Sequence, residues 1–380
     1  MASVCANPPR VLVADDQPDL IDALRLLLKS DGIEVNAVGS PDAALAAIAA
    51  GSFDLLLMDL NYTGDTTSGR EGIDLLSRVQ ALDGLLPVVV MTGWGSVDLA
   101  VESMRRGVKD FVQKPWDNAQ LLQTLRTEID NGRARRRRVA LERRELDEAR
   151  RIQQSLLPRS MPQVDGCEIA ASWQPAAGVG GDCYDAIAFG PSRFGLAIAD
   201  VVGKGIPAAL LMSNLQAALR AFATGAAEPS DVCHQVNRIL CGHIAEGRFI
   251  SFFYCLLDEN EGTLRYSNAG HYPPVLARAN GCVERLGTGG AVLGVFPDGI
   301  YEQGEVALYR GDRLVLYTDG ITDALNAEEQ EFGECRVIDL VVSNRSCSAP
   351  ALQSRLAEAV ADFSNGRFQD DATLIVVAIE

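Results

Sequence analysis

The chain reads as an α/β doubly wound five-stranded parallel sheet, joined by a long helix to an α+β layered β-sandwich with flanking helices. Three observations predict this. From Arg10 to Asn131, five short apolar runs alternate with amphipathic stretches; from Leu121 to Leu157, the pattern is helical and rich in arginine; after Pro158, short apolar runs sit between turns, with helical stretches grouped in blocks. The expected boundaries are 8–130, 131–160 and 161–380.

In the first region Val11–Ala14, Glu34–Val38, Asp54–Met58, Pro87–Met91 and Lys109–Val112 read as strands. As a set they are read as strands apolar on both faces, which suits a parallel sheet covered by helices. Leu20–Lys29, Asp42–Ala50, Ile73–Leu82 and Val97–Arg106 read as the covering helices. The linker carries nine arginines between Arg133 and Arg151. Leu125, Val139 and Leu146 keep a seven-residue spacing, which Gly132 and the seam positions Arg136, Arg143 and Arg150 weaken. A solvated linker and a stalk pairing two protomers fit equally; a homodimer through this helix is the expectation carried forward. In the last region Cys167–Trp173, Phe194–Ala199, Ile250–Leu257, Thr263–Ser267, Arg313–Tyr317 and Thr373–Ile379 read as strands, and Ala208–Ala223, Ser230–Ala245 and Ala349–Phe363 as helices.

The net charge of −17 disfavours nucleic acid as the main partner, although Arg133–Arg138 is locally basic. No apolar stretch approaches membrane-spanning length and the start, Met1–Arg10, lacks a leader pattern, so a cytoplasmic protein without membrane attachment is expected. The nine cysteines are odd in number and form no Cys-x-x-Cys pair, which argues against a disulfide framework or zinc ribbon.

Polar groups fall at the carboxyl ends of strands one, three, four and five, where such sheets present their ligands: Asp15 and Asp16, Asp59, Thr92, and Lys114 before Pro115. Asp15 and Asp16 suit Mg²⁺, Asp59 suits attack on a phosphoryl donor, Thr92 suits hydrogen bonding to the product oxygens, and Lys114 suits their neutralisation. Phe111 is placed for a packing switch. The constellation resembles the receiver domain of two-component response regulators, a flavodoxin-like fold. That resemblance implies Mg²⁺ held by Asp15, Asp16, Asp59 and Asn61, and phosphate transfer from a histidine kinase to Asp59. The chain departs from the usual pattern in the long polar loop Leu60–Gly69.

In the second half Asp182, Asp200, Asp319 and Asp370 each lie at an apolar run, with a glycine next to Asp182 and Asp319 and a second acid next to Asp370. Two such charges ~4 Å apart repel by ~4 kcal/mol at an effective dielectric of ~20, so they would ionise together only around bound cations. Oxygen donors without nearby His or Cys point to Mg²⁺ or Mn²⁺. The ordered motifs Gln153–Pro158, Gly180-Gly181-Asp182, Ala199-Asp200-Val201-Val202-Gly203-Lys204-Gly205, Asn268–His271, Tyr317-Thr318-Asp319-Gly320 and Asp370–Thr373 resemble the bacterial metal-dependent (PPM) Ser/Thr protein phosphatases, in the sporulation stage II phosphatase E and stress-regulator branch. The resemblance implies two Mn²⁺ or Mg²⁺ ions bridged by Asp200 with the Val201 carbonyl, outer ligands Asp182, Asp319 and Asp370, and Asp371 behind them. The resemblance further implies that such ions would activate water for in-line attack on phosphorus. Where eukaryotic relatives place a histidine two residues after the bridging aspartate, this chain has Val202. Asn268–His271 reads as a supporting turn.

The function expected is a phosphorylation-regulated Ser/Thr phosphatase of a two-component system; by resemblance, its substrate is a phosphorylated anti-sigma-factor antagonist. The alternative is a catalytically silent, partner-binding regulator of the same pathway. A transcription factor acting through the arginine run lacks a recognition-helix motif.

Overall fold

A computed structural model describes residues 7–62, 70–93, 108–244 and 247–380. The expected helix Val97–Arg106, most of the Leu60–Gly69 loop and Ala245 lie outside the described residues. The chain divides into two compact units, Met1–Arg144 and Glu145–Glu380.

In the first unit β1 (Arg10–Ala14), β2 (Glu34–Val38), β3 (Leu55–Asp59), β4 (Val88–Thr92) and β5 (Asp110–Gln113) form a parallel sheet in the order β2-β1-β3-β4-β5. Alternate residues of the central strands enter opposite cores. Leu12, Leu56, Met58 and Val90 pack with Leu45, Leu75, Leu76 and Val79 of α2 (Pro41–Ala50) and α3 (Arg70–Leu82). Val11, Val13, Leu57 and Val89 pack with Leu24 and Leu28 of α1 (Pro18–Ser30) and with Leu121, Leu125 and Ile129 of α4 (Asn118–Leu156). Both faces are dry, which is why these strands are apolar without alternation. Each fully buried leucine contributes about 2–3 kcal/mol, and Leu57→Ala would cost about 2–5 kcal/mol. Ser40 caps α2 by accepting from the Ala43 amide, ahead of Pro41.

The beginning of α4 belongs to this unit. Its spacing of four places Leu121, Leu125 and Ile129 on one stripe. Gly132 then allows close approach, since a Cβ there would lie 2.4 Å from Pro87 Cγ. Arg133 grips Asp54 with two bonds of 2.8 Å, and Arg136 meets Asp83 at 2.5 Å. The picture of a uniformly solvated basic run is therefore corrected for these two arginines. They are consumed by the first unit's own carboxylates, whereas Val139 and Leu141 beyond them are exposed.

The second unit has two stacked sheets. One is ordered β13-β10-β9-β8-β7, with β14 also pairing β10; the other is ordered β12-β11-β15-β16-β6. The strands that matter for the site are β6 (Cys167–Gln174), β7 (Cys183–Ala188), β8 (Arg193–Val201), β9 (Ile250–Asp258), β10 (Thr263–Ala269), β15 (Arg313–Tyr317) and β16 (Ala372–Ile379); the remainder are β11 (Val275–Ala277), β12 (Val283–Arg285), β13 (Gly289–Gly290) and β14 (Gly304–Ala307). Pairing is antiparallel except between β10 and β13. Side-chain alternation on β15 and β16 builds the layers. Leu314, Leu316, Ile375 and Val377 enter the core between the sheets. Val315, Tyr317, Leu374 and Val376 enter the core under α8 (Glu334–Ser343) and α9 (Ala349–Phe363). The first sheet is covered by α5 (Ile206–Phe222) and α6 (Pro229–Cys241), and a short α7 spans Asp319–Thr322. Two details differ from expectation. The helix expected to reach Ala245 stops at Cys241, where Gly242 follows as the cap. Strand β7 is unforeseen because its mixed sequence includes Asp185, which is fully buried only by virtue of a bidentate bond to Arg220.

Among the described residues, no helix is long and apolar enough to cross a membrane.

Candidate functional site

In the first unit, parallel strands bring their carboxyl ends to one edge, and with them Asp15, Asp59, Thr92 and Lys114. Lys114 Nζ lies 2.8 Å from Asp15 Oδ2 and 2.7 Å from Asp59 Oδ2. Asp59 Oδ1 accepts from the Leu60 amide at 2.7 Å and the Asn61 amide at 3.3 Å. Burial opposes the ammonium's charge, but hydrogen bonds to both carboxylates outweigh it and raise the Lys114 pKa. Thr92 is buried, Asp16 is half-buried, and Phe111 is exposed. The Asn61 Oδ1 atom is buried without a hydrogen-bond partner. Tyr62, which carried no expectation, donates from its hydroxyl to the Ala14 carbonyl at 3.1 Å and so ties the segment after Asp59 to β1.

In the second unit, antiparallel pairing gathers the acids. Cys183 of β7 pairs with Ala199 of β8, so Asp182 and Asp200 follow at the same edge. Tyr317 of β15 pairs with Leu374 of β16, which places Asp319 just past one strand and Asp370 and Asp371 just before the other. The two sheets are stitched together here: Asp182 Oδ2 accepts from Thr318 Oγ1 at 2.7 Å and Thr373 Oγ1 at 2.6 Å. Asp371 is occupied with backbone, accepting from the Ala176 amide at 2.8 Å and the Gly181 amide at 2.6 Å. Gly180 and Gly320 are glycine because a Cβ would come within 2.2 Å of Asp371 Oδ2 and 2.0 Å of the Asp371 carbonyl respectively. The Val201 carbonyl stands beside Gly181, 2.7 Å from where a Cβ would be. Asp370 is part-exposed and ion-paired to Lys204 at 2.9 Å.

The electrostatics of this edge are unbalanced. Burial, then the charges of Asp319, Asp370 and Asp371, push the Asp200 carboxyl up to about 7. Burial, then Asp200, raises Asp182 well above the usual carboxylate range, and burial with Asp370 raises Asp319. Asp182 Oδ1 is buried with no partner, a state costing about 1–3 kcal/mol or more. Carboxylates pressed together in this way, with an orphaned oxygen, fit hard divalent cations. Among the described residues, no three acidic, histidine or cysteine side chains stand close enough to enclose one ion unaided. An ion of the magnesium type, which keeps much of its water, needs only one or two carboxylates.

Contacts not foreseen in the sequence complete the site. Gln153, near the end of α4, donates to the Gly180 carbonyl at 2.6 Å and accepts from the Gly180 amide at 3.1 Å. Both groups belong to motifs recognisable in the sequence, but their meeting is purely tertiary. Asn268 clamps the backbone of His271, whose Nδ1 lies 2.8 Å from Ser251 Oγ, and Ser251 pairs with Asp200 across the β8–β9 ladder. Asn268–His271 is a turn beneath the site, with its imidazole pushed down to about 4 by burial.

Comparison with known proteins accords with this geometry. The profile of stage II sporulation protein E (SpoIIE) matches residues 190–380, and that of the response regulator receiver domain matches residues 11–126. Phosphoserine phosphatase RsbU of Bacillus subtilis is 32% identical over 235 residues, which cover 61% of this chain and 69% of RsbU. Protein IcfG of Synechocystis is 30% identical over 263 residues, or 62% of this chain but only 41% of IcfG. The crystal structure of the RsbU and RsbW domains of Rv1364c from Mycobacterium tuberculosis superposes with a TM-score of 0.53 at 29% identity, covering 59% of this chain and 62% of that one. The chain belongs to the SpoIIE family, and it carries a response regulator receiver domain ahead of the family's phosphatase fold.

Proposed function

We propose that the chain is a metal-dependent protein Ser/Thr phosphatase controlled by phosphorylation of Asp59. In this reading 8–130 receives the signal, 131–160 is the helical linker and 161–380 is catalytic. One observation carries it: four carboxylates from two different sheets are collected at one edge, where Asp182 keeps a buried oxygen unpaired.

Asp200, the Val201 carbonyl, Asp182, Asp319 and Asp370 would hold two Mn²⁺ or Mg²⁺ ions. These would supply Lewis-acid activation of water and neutralise charge at the phosphoryl group. Thr318 and Thr373 fix the Asp182 rotamer, and Asp371 fixes the Gly180–Asp182 backbone, so the ligand side chains are oriented before substrate arrives. In the first unit Asp15, Asp16, Asp59 and Asn61 would hold Mg²⁺. Asp59 is the nucleophile toward a phosphohistidine donor on a kinase, Lys114 holds charge on the incoming group, Thr92 binds the product oxygens, and Phe111 reports the change by repacking. The name of the relative RsbU supports phosphoserine as the substrate group. A phosphorylated anti-sigma-factor antagonist is the proposed protein substrate, a homodimer through the linker the proposed assembly, and the cytoplasm the proposed compartment.

The test is Mn²⁺-dependent release of phosphate from p-nitrophenyl phosphate and from a phosphoseryl antagonist protein, with Asp200→Ala and Asp59→Asn in parallel. Turnover lost in the first variant, and acetyl-phosphate labelling lost in the second, are the expected results. Turnover that survives Asp200→Ala overturns the catalytic assignment.

A further inference from the structure

We propose that Lys204 is the side chain that binds the substrate's phosphoryl group, an arm that leaves Asp370 for the substrate when divalent ions load. The inference rests on the phosphatase reading above and assigns the residue that grips the substrate's charge.

A phosphoserine brings a charge of about −1.5 to −2 and three strong acceptor oxygens. It must approach an edge crowded with Asp182, Asp200, Asp319, Asp370 and Asp371, on a chain of net charge −17. A cation of the protein's own at this edge would add to the attraction supplied by the ions that the carboxylates hold. Among the described residues, Lys204 is the cation ion-paired within this acidic group, with Nζ 2.9 Å from Asp370 Oδ2 and a further hydrogen bond donated to the Gln369 carbonyl. Its field also reaches Asp319. Unlike the Lys114 ammonium in the first unit, it is half exposed, at 53%. Solvent, and hence substrate, reaches it.

Lys204 lies between two glycines, which have a wider range of backbone conformations open to them than other residues. Gly203 and Gly205 both adopt positive φ, +107° and +71°, and no atom lies within 4 Å of a Cβ placed at Gly205. An ion loaded on Asp370 would contest the same carboxylate oxygen and repel the ammonium beside it. The freed arm would then meet a dianion. Arg248 flanks the loop, its guanidinium 3.7 Å from the position of a Gly203 Cβ, and it has no ion-pair or hydrogen-bond partner among the described residues. It adds a second positive charge at the approach.

The experiment uses the full chain and the variants Lys204→Met and Lys204→Arg. Inorganic phosphate binding to the Mg²⁺-loaded protein is measured by calorimetry, and KM and kcat are measured on a phosphoseryl protein with Mn²⁺. Lys204→Met is expected to weaken phosphate binding and raise KM by roughly ten- to a hundredfold, the worth of one charge-assisted hydrogen bond, with a smaller change in kcat. Lys204→Arg should recover most of the loss. The half-saturating Mn²⁺ concentration in Lys204→Met should stay level or fall, because a competitor for Asp370 is gone. Unchanged phosphate affinity and KM, with only the metal requirement moved, would overturn the proposal and leave Lys204 as a counter-charge of Asp370. Failure of the phosphatase reading itself looks different: the unmodified chain would show no Mn²⁺-dependent turnover that Asp200→Ala removes.

Discussion

The two acidic sites of this chain solve the same problem in opposite ways. At the receiver edge Asp15 and Asp59 share Lys114, a cation supplied by the protein and held by two bonds under 3 Å. At the phosphatase edge the carboxyls of Asp182, Asp200 and Asp319 have raised pKa values, and Lys204 is ion-paired to the more exposed Asp370 beside them. The first site carries a counter-charge of its own, and in the proposed reading a covalent change takes place there at one oxygen. In the same reading the second would be completed by ions from solution.

The largest expected effect tests the unbalanced site. Asp200→Ala should lower Mn²⁺-dependent turnover by at least about a thousandfold, equivalent to ~4 kcal/mol in the barrier, while Asp59 still accepts phosphate. Phosphorylation assays and turnover on the same preparation check both halves. A second substitution turns the balanced site into the other kind: Lys114→Met leaves two carboxylates facing each other, and should cost the first unit about 3 kcal/mol in denaturant unfolding. Millimolar Mg²⁺ should recover part of that loss, and a variant as stable as the parent would show that the ion pair contributes little.

A pH titration comes next. His271 titrates near 6.5 when unfolded and is pushed down to about 4 in the fold by burial. Between these values the unfolded chain binds the extra proton, so the stability from the neutral imidazole is full above pH 6.5 and declines by about 3 kcal/mol as the pH falls to 4. His271→Gln should flatten that part of the profile, and parallel profiles would refute it. The smallest effect concerns the α4 anchor. Arg133→Ala should destabilise the first unit by about 1–2 kcal/mol by leaving the half-buried Asp54 unpaired, a loss readable as a shift in thermal midpoint.

Much of this was legible from residues alone, for reasons that differ by element. Val11–Ala14 and Leu55–Met58 announce parallel strands because both of their faces are buried, and no polar alternation confuses the pattern. β13 could not be anticipated, being two glycines paired alongside Asn268 and Ala269. The aspartates proposed as ligands stand at strand ends, Asp182 and Asp319 next to a glycine and Asp370 next to a second acid, so their local sequence marks them. Their supports do not share that signature. Gln153 reaches across 27 residues to Gly180 and Thr373 across 191 to Asp182, distances that only the stacked sheets can close. The arginine run shows the converse: composition suggests a solvated surface, but Arg133 and Arg136 have acidic partners 79 and 53 residues away.

The close approach at Gly320 offers a way to silence the chain without altering a single acid. A methyl group there collides with the carbonyl of Asp371, which the backbone cannot yield without shifting the strand start that carries Asp370. Gly320→Ala would keep every carboxylate yet misplace them, a decoy that preserves the charge of the natural surface for trapping whatever protein docks on it.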